Sequence, residues 1–360
     1  MLDHVPFEIL IEIMTRLPVK SLIQFTSVLK TWKSLIRSSK FIADYYTNLR
    51  SQRQHLIQYN HHSHYQQNCF VSIVDDNTFP EHQLTLTTPS SLSLDNLALV
   101  GSSHGLFCFV ARKGTNILSK VVVIWNPSIR KSVAIYVHND IKEDEDCFLG
   151  FGVCPNTLDP KIIKICKFDG NLEVVVFTLS SRTWRSPLSN IMLSNNLTIT
   201  SPYSNIVIGG LIYWCALKSF LYTIVSFDLT SEEFVEIQLP DELKLSYQMD
   251  SRIFKLRESL VVVQQHMNND YQVWIMENKV TKSFTKLFNI NILPDLSVIK
   301  PCGFRMNDQL ILESSCHLVA YDPSTESIKN LGFDGRINSF DVTSYTESLL
   351  LIDNSESLIY

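Results

Sequence analysis

His61, His62 and His64 stand within four residues of one another and are the obvious candidate ligands for a divalent cation, because neutral imidazoles bind such ions. No cysteine or carboxylate stands beside them, and the flanking residues are rich in Gln, Asn and His, so a polar loop is the better expectation. Glu143, Asp144, Glu145 and Asp146 could chelate calcium or supply paired carboxylates for hydrolysis. The run lacks the glycine-centred spacing of a calcium loop, which favours a solvated loop or an interaction surface. Gly101-Ser-Ser-His-Gly105 comes nearest to a nucleophile elbow or phosphate loop. It falls between two predicted strands and not between strand and helix, so a hairpin turn is expected. Ten histidines leave a dispersed Ser-His-Asp triad open, but no motif marks one. Cys69, Cys108, Cys147, Cys154, Cys166, Cys215, Cys302 and Cys316 show neither a Cys-x-x-Cys pair nor zinc spacing, and are expected to be reduced and mostly buried. Trp125, Trp184, Trp214 and Trp274 could stack on sugars. Three of them end or lie within predicted strands at repeat-equivalent places, where packing wants a large ring. Asn196-Leu197-Thr198 fits the glycosylation tripeptide, which matters only in a secreted chain. The expectation is therefore no catalytic residue, no metal and no cofactor.

The elements that would carry such groups set the frame. At 45% apolar and 19% charged residues the chain is that of a soluble globular protein, with room for a small module and one large domain or two medium ones. No apolar run reaches the eighteen or so residues that cross a bilayer. Glu8 and Glu12 interrupt the amino-terminal apolar segment where a signal peptide would carry no acid. A chain neither secreted nor membrane-bound, cytoplasmic or nuclear, is expected. Residues 1 to 50 carry seven basic and four acidic side chains, a balance of +3, which leaves −8 on the remainder of a chain of net charge −5. An acidic main domain argues against a nucleic-acid binder and permits an acidic partner for the basic module.

Residues 5 to 42 are built for helices. Ile9, Leu10, Ile13, Met14 and Leu17 follow one helix face behind Pro6; Val19, Leu22, Ile23 and the run Phe25 to Val28 follow Pro18; Trp32, Leu35 and Ile36 form a third stripe. Phe41, Tyr45 and Leu49 continue as a fourth helix face. About forty residues cannot bury so much apolar surface alone, and part of it awaits a partner. Residues 51 to 68 are polar apart from Leu56 and Ile57, a linker with room for one short strand. From Cys69 onward short runs rich in Val, Ile, Phe, Tyr and Trp alternate with turn residues. Strands that run into a turn group are expected to end at Val74-Asp75, Trp125-Asn126, Phe177-Thr178, Phe227-Asp228, Trp274-Ile275 and Tyr321-Asp322, with spacings between first members of 51, 52, 50, 47 and 47 residues. A period near fifty in an all-strand chain predicts propeller blades of kelch-like length. Six blades of four antiparallel strands are expected, with seven as the alternative. Cys69 to Thr87 and Ile337 to Tyr360 would join into the blade that closes the ring. The expected fold is a small all-α three-helix module over residues 1 to 50, a linker over 51 to 68 and an all-β propeller over 69 to 360.

Two family resemblances follow. Val5-Pro6, FEILIEIM, LPVKSL from Leu17 to Leu22, Val28 and KTWKSLI from Lys30 to Ile36 occur in the order of an F-box, which they resemble. The chain departs from that pattern at Val5, where the family usually has Leu, at Thr26, where a basic residue is common, and at Leu29, where a small one is. LVGSSHGLFCF from Leu99, VVVIWNPSIRKSVAI from Val121, FLGFGVCPNTLDPKIIKI from Phe148, VVFTLSSRTWRSP from Val175, NIVIGGLIYWCA from Asn205 and FDLTSEEFVEIQLP from Phe227 resemble the plant F-box-associated domain. The low glycine content, 11 residues, favours that divergent type over ordinary kelch repeats.

The resemblance implies the substrate-recognition subunit of an SCF-type cullin-RING ubiquitin ligase, non-catalytic in itself. It implies docking on a Skp-type adaptor, and through it a cullin and a RING subunit, by Pro6, Ile9, Leu10, Ile13, Leu17, Pro18, Val19, Leu22, Val28, Trp32, Leu35 and Ile36. It implies a target protein held by propeller loops, for which Val137 to Asp146, Leu188 to Ser204, Asp241 to Asp250, Gln264 to Asp270 and Asn291 to Lys300 are candidates. The competing expectations are a propeller enzyme such as a glycan hydrolase or oxidase, a glycan-binding protein, and a kelch-like scaffold acting outside any ligase.

Overall fold

The computed structural model describes residues 6–49, 54–61, 68–89, 97–113, 116–137, 147–168, 171–189, 193–194, 196–200, 205–244, 250–266, 270–278, 280–290, 299–353 and 358–359. The chain opens with four helices, α1 (Phe7–Met14), α2 (Val19–Phe25), α3 (Lys30–Ile36) and α4 (Ser39–Leu49). Strands β1 (Gln54–Asn60), β2 (Asn68–Val74) and β3 (Gln83–Thr85) follow, and then the first complete blade, β4 (Leu97–Ser103), β5 (Leu106–Lys113), β6 (Asn116–Asn126) and β7 (Lys131–Val137). Blade two is β8 (Cys147–Val153), β9 (Pro160–Phe168), β10 (Asn171–Thr178) and β11 (Thr183–Arg185). Blade three is β12 (Leu197–Ile199), β13 (Ile206–Ile208), β14 (Leu211–Lys218), β15 (Leu221–Asp228) and β16 (Phe234–Gln238), followed by the short helix α5 (Asp241–Lys244). Blade four is β17 (Ser251–Leu256), β18 (Ser259–Gln265), β19 (Tyr271–Asn278) and β20 (Ser283–Ile290). Blade five is β21 (Ile299–Phe304), β22 (Leu310–Ser314), β23 (His317–Asp322) and β24 (Ser327–Asp334), and the chain ends with β25 (Asp341–Tyr345) and β26 (Leu358–Ile359).

Six sheets form the ring, as the fifty-residue period predicts. The sixth has the order β25-β1-β2-β3, so β25, from late in the chain, is the innermost and the segment that follows the helices supplies the other three. This zips the ring shut in the way expected of the two incomplete ends. Its second strand, Gln54–Asn60, lies inside the span assigned to the linker, so the propeller begins before Cys69. Polar Gln54, Gln58 and Asn60 mask the strand in the sequence, whereas both neighbours of β1 are in place only once the ring closes. The inner strand of blade three is broken into β12 and β13, both paired to β14. Near the break, the buried Asn205 side chain donates to the backbone carbonyl of Val100 in β4.

One turn is reused from blade to blade. Asn126, Asp228 and Asp322 each end a third strand and accept from the N–H two residues on, at 2.9 Å for Ser128, 2.7 Å for Thr230 and 2.9 Å for Ser324. Four residues beyond the ends of β6, β10, β15, β19 and β23 stand Arg130, Arg182, Glu232, Lys282 and Glu326, all with φ between 52° and 59°. Blade four corrects the sequence repeat: its third strand ends at Asn278, three residues beyond the Trp274-Ile275 pair taken as equivalent. Trp125 and Trp214 are fully buried, Trp274 is buried, and Trp184 packs 5.3 Å from the ring of Phe177, so core packing accounts for all four. Six cysteines are free, as expected, but Cys147 and Cys166 are joined as a disulfide. They face each other directly across β8 and β9, a pairing fixed by strand register and invisible in a 19-residue spacing.

Between blades the packing is tight at defined points. A Cβ on Gly150 of β8 would overlap the buried ring of Trp214 in the next blade. Gly150→Ala is therefore expected to destabilise the fold by about 1–3 kcal/mol, read as a lower urea midpoint at unchanged slope.

Two buried carboxylates tie blades together. Glu232, at the third turn of blade three, receives Lys161 Nζ at 2.7 Å, both terminal nitrogens of Arg185 at 2.7 Å and the Leu188 N–H at 2.9 Å. Asp75 receives His55 Nε2 at 3.0 Å, Arg305 Nε at 2.9 Å and the Met306 N–H at 2.9 Å, joining blade six to blade five. Burial alone would raise both acids. The bonds from Arg185 and Lys161 to Glu232, and from His55 to Asp75, outweigh it and bring each to about 2. Depressed carboxylates stabilise the fold above their ordinary values of 4.5 and 3.8, and that stability is lost as pH falls towards about 2. Urea midpoints are expected to hold from about pH 7 to about pH 5 and to fall steeply below about pH 4.5. A midpoint unchanged at about pH 3 would contradict this account.

Candidate adaptor-docking surface

The helical module is assembled by its prolines and small caps. Pro6, in extended conformation, precedes α1, whose first bond runs from the Leu10 N–H to the Pro6 carbonyl at 3.1 Å. The helix ends where Thr15 Oγ1 bonds back to the Glu12 carbonyl at 2.9 Å, and Pro18 then opens α2, accepting from the Leu22 N–H at 3.2 Å. LPVKSL thus turns the first helix into the second, as its resemblance implies. Tyr45 of α4 donates to the Leu17 carbonyl at 2.8 Å and fixes that turn from behind. Phe25 and Trp32 pack with ring centroids 5.2 Å apart, bringing α3 onto α2.

The twelve residues singled out in the sequence divide by side. Val19, Leu22 and Ile36 are buried, and with Met14, Phe41, Ile42 and Tyr45 they form the module's inner face. Leu10, Leu17, Trp32 and Leu35 are half-buried against the same cluster. Pro6, Ile9, Ile13, Pro18 and Val28 are exposed; Ile9 and Ile13 lie one turn apart on one face of α1, and Val28 is 59% exposed at the bend into α3. Two further apolar residues join this outer set: Phe7 at 53% and Leu29 at 47% exposure. The signal for Phe7 was its place one turn before Leu10 and Ile11. Leu29 stands where the family pattern usually has a small residue, so its exposed side chain has no counterpart in that pattern. Lys20, Lys30 and Lys33 of α2 and α3 are exposed as well, as are Glu8 and Glu12 of α1 and the adjoining Arg16, so charged side chains of both signs accompany the exposed apolar ones.

The inner face is covered by the ring. Met14, Val19, Leu22, Ile36, Phe41, Ile42 and Tyr45 share one apolar cluster with Leu106, Val133, Phe151 and Leu349 to Ile352. Tyr46 of α4 stacks on His104, with centroids 4.5 Å apart. His104 and Gly105, at φ 51° and 75°, make the tight turn from β4 to β5, the hairpin expected of Gly101 to Gly105. First-to-second and third-to-fourth turns leave an antiparallel blade from one end, and Ile129, Leu158 and His104 place the helical module at that end. The loops nominated for target binding leave from the other end, about 20–25 Å away by strand length. Of those loops, residues 138–146, 190–192, 195, 201–204, 245–249, 267–269 and 291–298 lie outside the described residues, as do Glu143 to Asp146, His62 and His64.

A cavity of about 580 Å³ follows the ring axis. The carboxylates on its wall are Asp75, Glu258 and Asp341. Asp75 is held as described, Glu258 pairs with Lys255 at 3.1 Å, and Asp341 lies 3.9 Å from Lys300. Among the described residues no group of three or more His, Cys, Asp or Glu side chains is arranged to hold a metal ion. No helix among them is long and apolar enough to cross a membrane.

A helical module with an apolar outer surface is thus seated on one end of a six-bladed ring. Residues 2–44 match the F-box domain and residues 55–359 match the F-box associated beta propeller domain, so the chain belongs to the F-box proteins that carry an F-box-associated propeller. It is similar to F-box/kelch-repeat protein At3g23880 of Arabidopsis thaliana, with 26% identity over 336 residues that cover 89% of this chain and 88% of that protein. It is also similar to F-box protein At3g07870 of Arabidopsis thaliana, with 23% identity over 400 residues that cover 98% and 93%. Among solved structures, TolB from Acinetobacter baumannii aligns with a TM-score of 0.51 at 10% identity, over 84% of this chain and 70% of that one, a likeness of fold alone.

Proposed function

We propose that this chain is the substrate-recognition subunit of an SCF-type ubiquitin ligase, working in the cytoplasm or nucleus. The outer surface of α1 to α3 docks on a Skp-type adaptor, which brings the cullin and RING subunits, and the opposite end of the propeller holds the target protein. The observation that carries this is the division of the helical module: its inner apolar face is sealed on the ring while Phe7, Ile9, Ile13, Val28 and Leu29 stay exposed. In this role the chain itself makes and breaks no bond; it contributes proximity and orientation to transfer performed elsewhere in the complex.

The test compares proteins captured from cells by the intact chain and by an Ile13→Asp, Val28→Asp variant of the full chain. Both forms are expected to retain the same target, and the target's half-life is expected to lengthen only with the variant. Loss of adaptor binding with no stabilised target would favour the scaffold reading instead.

A further inference from the structure

The segment after β25 reaches both halves of the molecule. Residues 346–353 leave the inner strand of blade six and run between the helical module and blade one. On the ring side Asn126, itself fully buried, donates through Nδ2 to the carbonyls of Ser348 at 2.9 Å and Leu350 at 2.7 Å. Ser128 Oγ accepts from the Ser348 N–H at 3.1 Å and lies 2.7 Å from Tyr345 Oη, and Lys131 Nζ reaches the Ile352 carbonyl at 2.5 Å. Gly105 is confined beneath it, since a Cβ there would overlap the Thr346 carbonyl.

On the other side the same residues hold the helices. Glu347 Oε2 accepts the Val19 N–H at the start of α2, at 3.3 Å, and Asp353 pairs with Arg37 at the end of α3, at 3.0 Å. Leu349, Leu350, Leu351 and Ile352, all buried, fill the space between Met14, Leu22 and Ile36 below and the blade side chains above. After this passage the chain returns to the ring, where β26 pairs in parallel with β7. Polar groups therefore anchor the backbone to the ring, and apolar side chains with one backbone-to-carboxylate hydrogen bond and one ion pair anchor it to the helices.

We propose that residues 347–353 are a positioning strap that fixes the angle between the helical module and the propeller, and so selects which lysines a docked ubiquitin ligase can reach. The proposal rests on the ligase function for its second half only. Fixed orientation confers reach selectivity because a ring that swivels on its handle samples many lysine positions, and a clamped one samples few. Adaptor docking uses the outer face and does not depend on the strap.

Two full-length variants test it. Leu350→Asp places a charge in the buried layer, and Asn126→Ala removes the two bonds to the strap from the ring side, together with the bond from the Ser128 N–H within its own turn, without touching the helices. Far-UV circular dichroism and a urea midpoint close to the parent's are the controls that the strand-built ring stays folded. Spin labels carried by unnatural amino acids at the exposed positions Lys33 and Lys329 report the distance between the two parts. The parent chain is expected to give one narrow distribution, and Leu350→Asp a distribution about twofold or more wider, with Asn126→Ala between them. In the reconstituted ligase the parent is expected to be modified on a restricted set of its own propeller lysines and the variants on a broader set, with adaptor affinity changed less than about threefold. A distribution as narrow in Leu350→Asp as in the parent would overturn the strap. A broadened distribution with an unchanged lysine pattern would overturn its role in selection. Failure of the parent to bind the adaptor would strike the ligase function and leave the distance result standing.

Discussion

Ile13→Asp is expected to weaken binding of the full chain to a Skp-type adaptor by about 2–4 kcal/mol, roughly 30- to 700-fold, while lowering the melting temperature by no more than a few degrees. Ile13 is 47% exposed on the outer face of α1, one turn from the equally bare Ile9, and contributes little to the core. A carboxylate placed there costs the free protein only about 0.5–1.5 kcal/mol, from partial loss of burial and a negative charge in the last turn of α1, because water still solvates it. In a docked interface the same charge loses its water without gaining a partner, and that loss sets the size of the effect. Val28→Asp is expected to behave alike, whereas Leu22→Asp would unfold the module, since Leu22 is fully buried beneath the strap. Calorimetric titration with the adaptor beside a thermal melt separates the two outcomes. Equal loss of binding and stability in Ile13→Asp would place Ile13 in the core and remove it from the docking surface.

Glu232→Ala is expected to destabilise the propeller by about 3–5 kcal/mol, the largest stability effect of any single charged residue described above. Glu232 has no exposed side-chain surface, and it is the shared acceptor for Lys161 and Arg185 from the neighbouring blade. Lys161 is itself only 8% exposed, so removing the carboxylate leaves an ammonium buried with the Leu229 carbonyl as its remaining partner. Arg185, 36% exposed, can turn to water and recover most of its solvation. The cost is thus the stranded lysine, and Lys161→Met in the Glu232→Ala background is expected to recover a large part of it. Urea unfolding of the two variants and their combination measures this. Strict additivity of the two substitutions would show that the pair is uncoupled.

The fold was legible in the sequence wherever a local rule and the global structure agree. The third strands end on Asn126, Asp228 and Asp322 because an Asx side chain bonds the backbone of its own turn, a local event that leaves a mark every fifty residues or so. The helical module was legible for the same reason, with Pro6 and Pro18 in place as helix starts. What local pattern could not carry are the long-range pairings. Gln54–Asn60 looks like a polar connection until β25 arrives from the far end of the chain to pair with it. Cys147 and Cys166 meet through register, not spacing. Leu349 to Ile352 look like one more core strand, yet they form no strand and serve as the seat of the helices. The docking surface was half legible: periodicity selected the apolar positions of α1 to α3, but only the seat on the ring decides that Val19, Leu22 and Ile36 face inward and Ile9, Ile13 and Val28 outward.

The most direct test of the central claim is amide hydrogen exchange of the full chain with and without a purified Skp-type adaptor. The outer surface predicts slowed exchange in α1 and from Pro18 through α3, with the propeller turns at both ends of the ring unchanged. Slowed exchange confined to the propeller, or none at all at saturating adaptor, would contradict it.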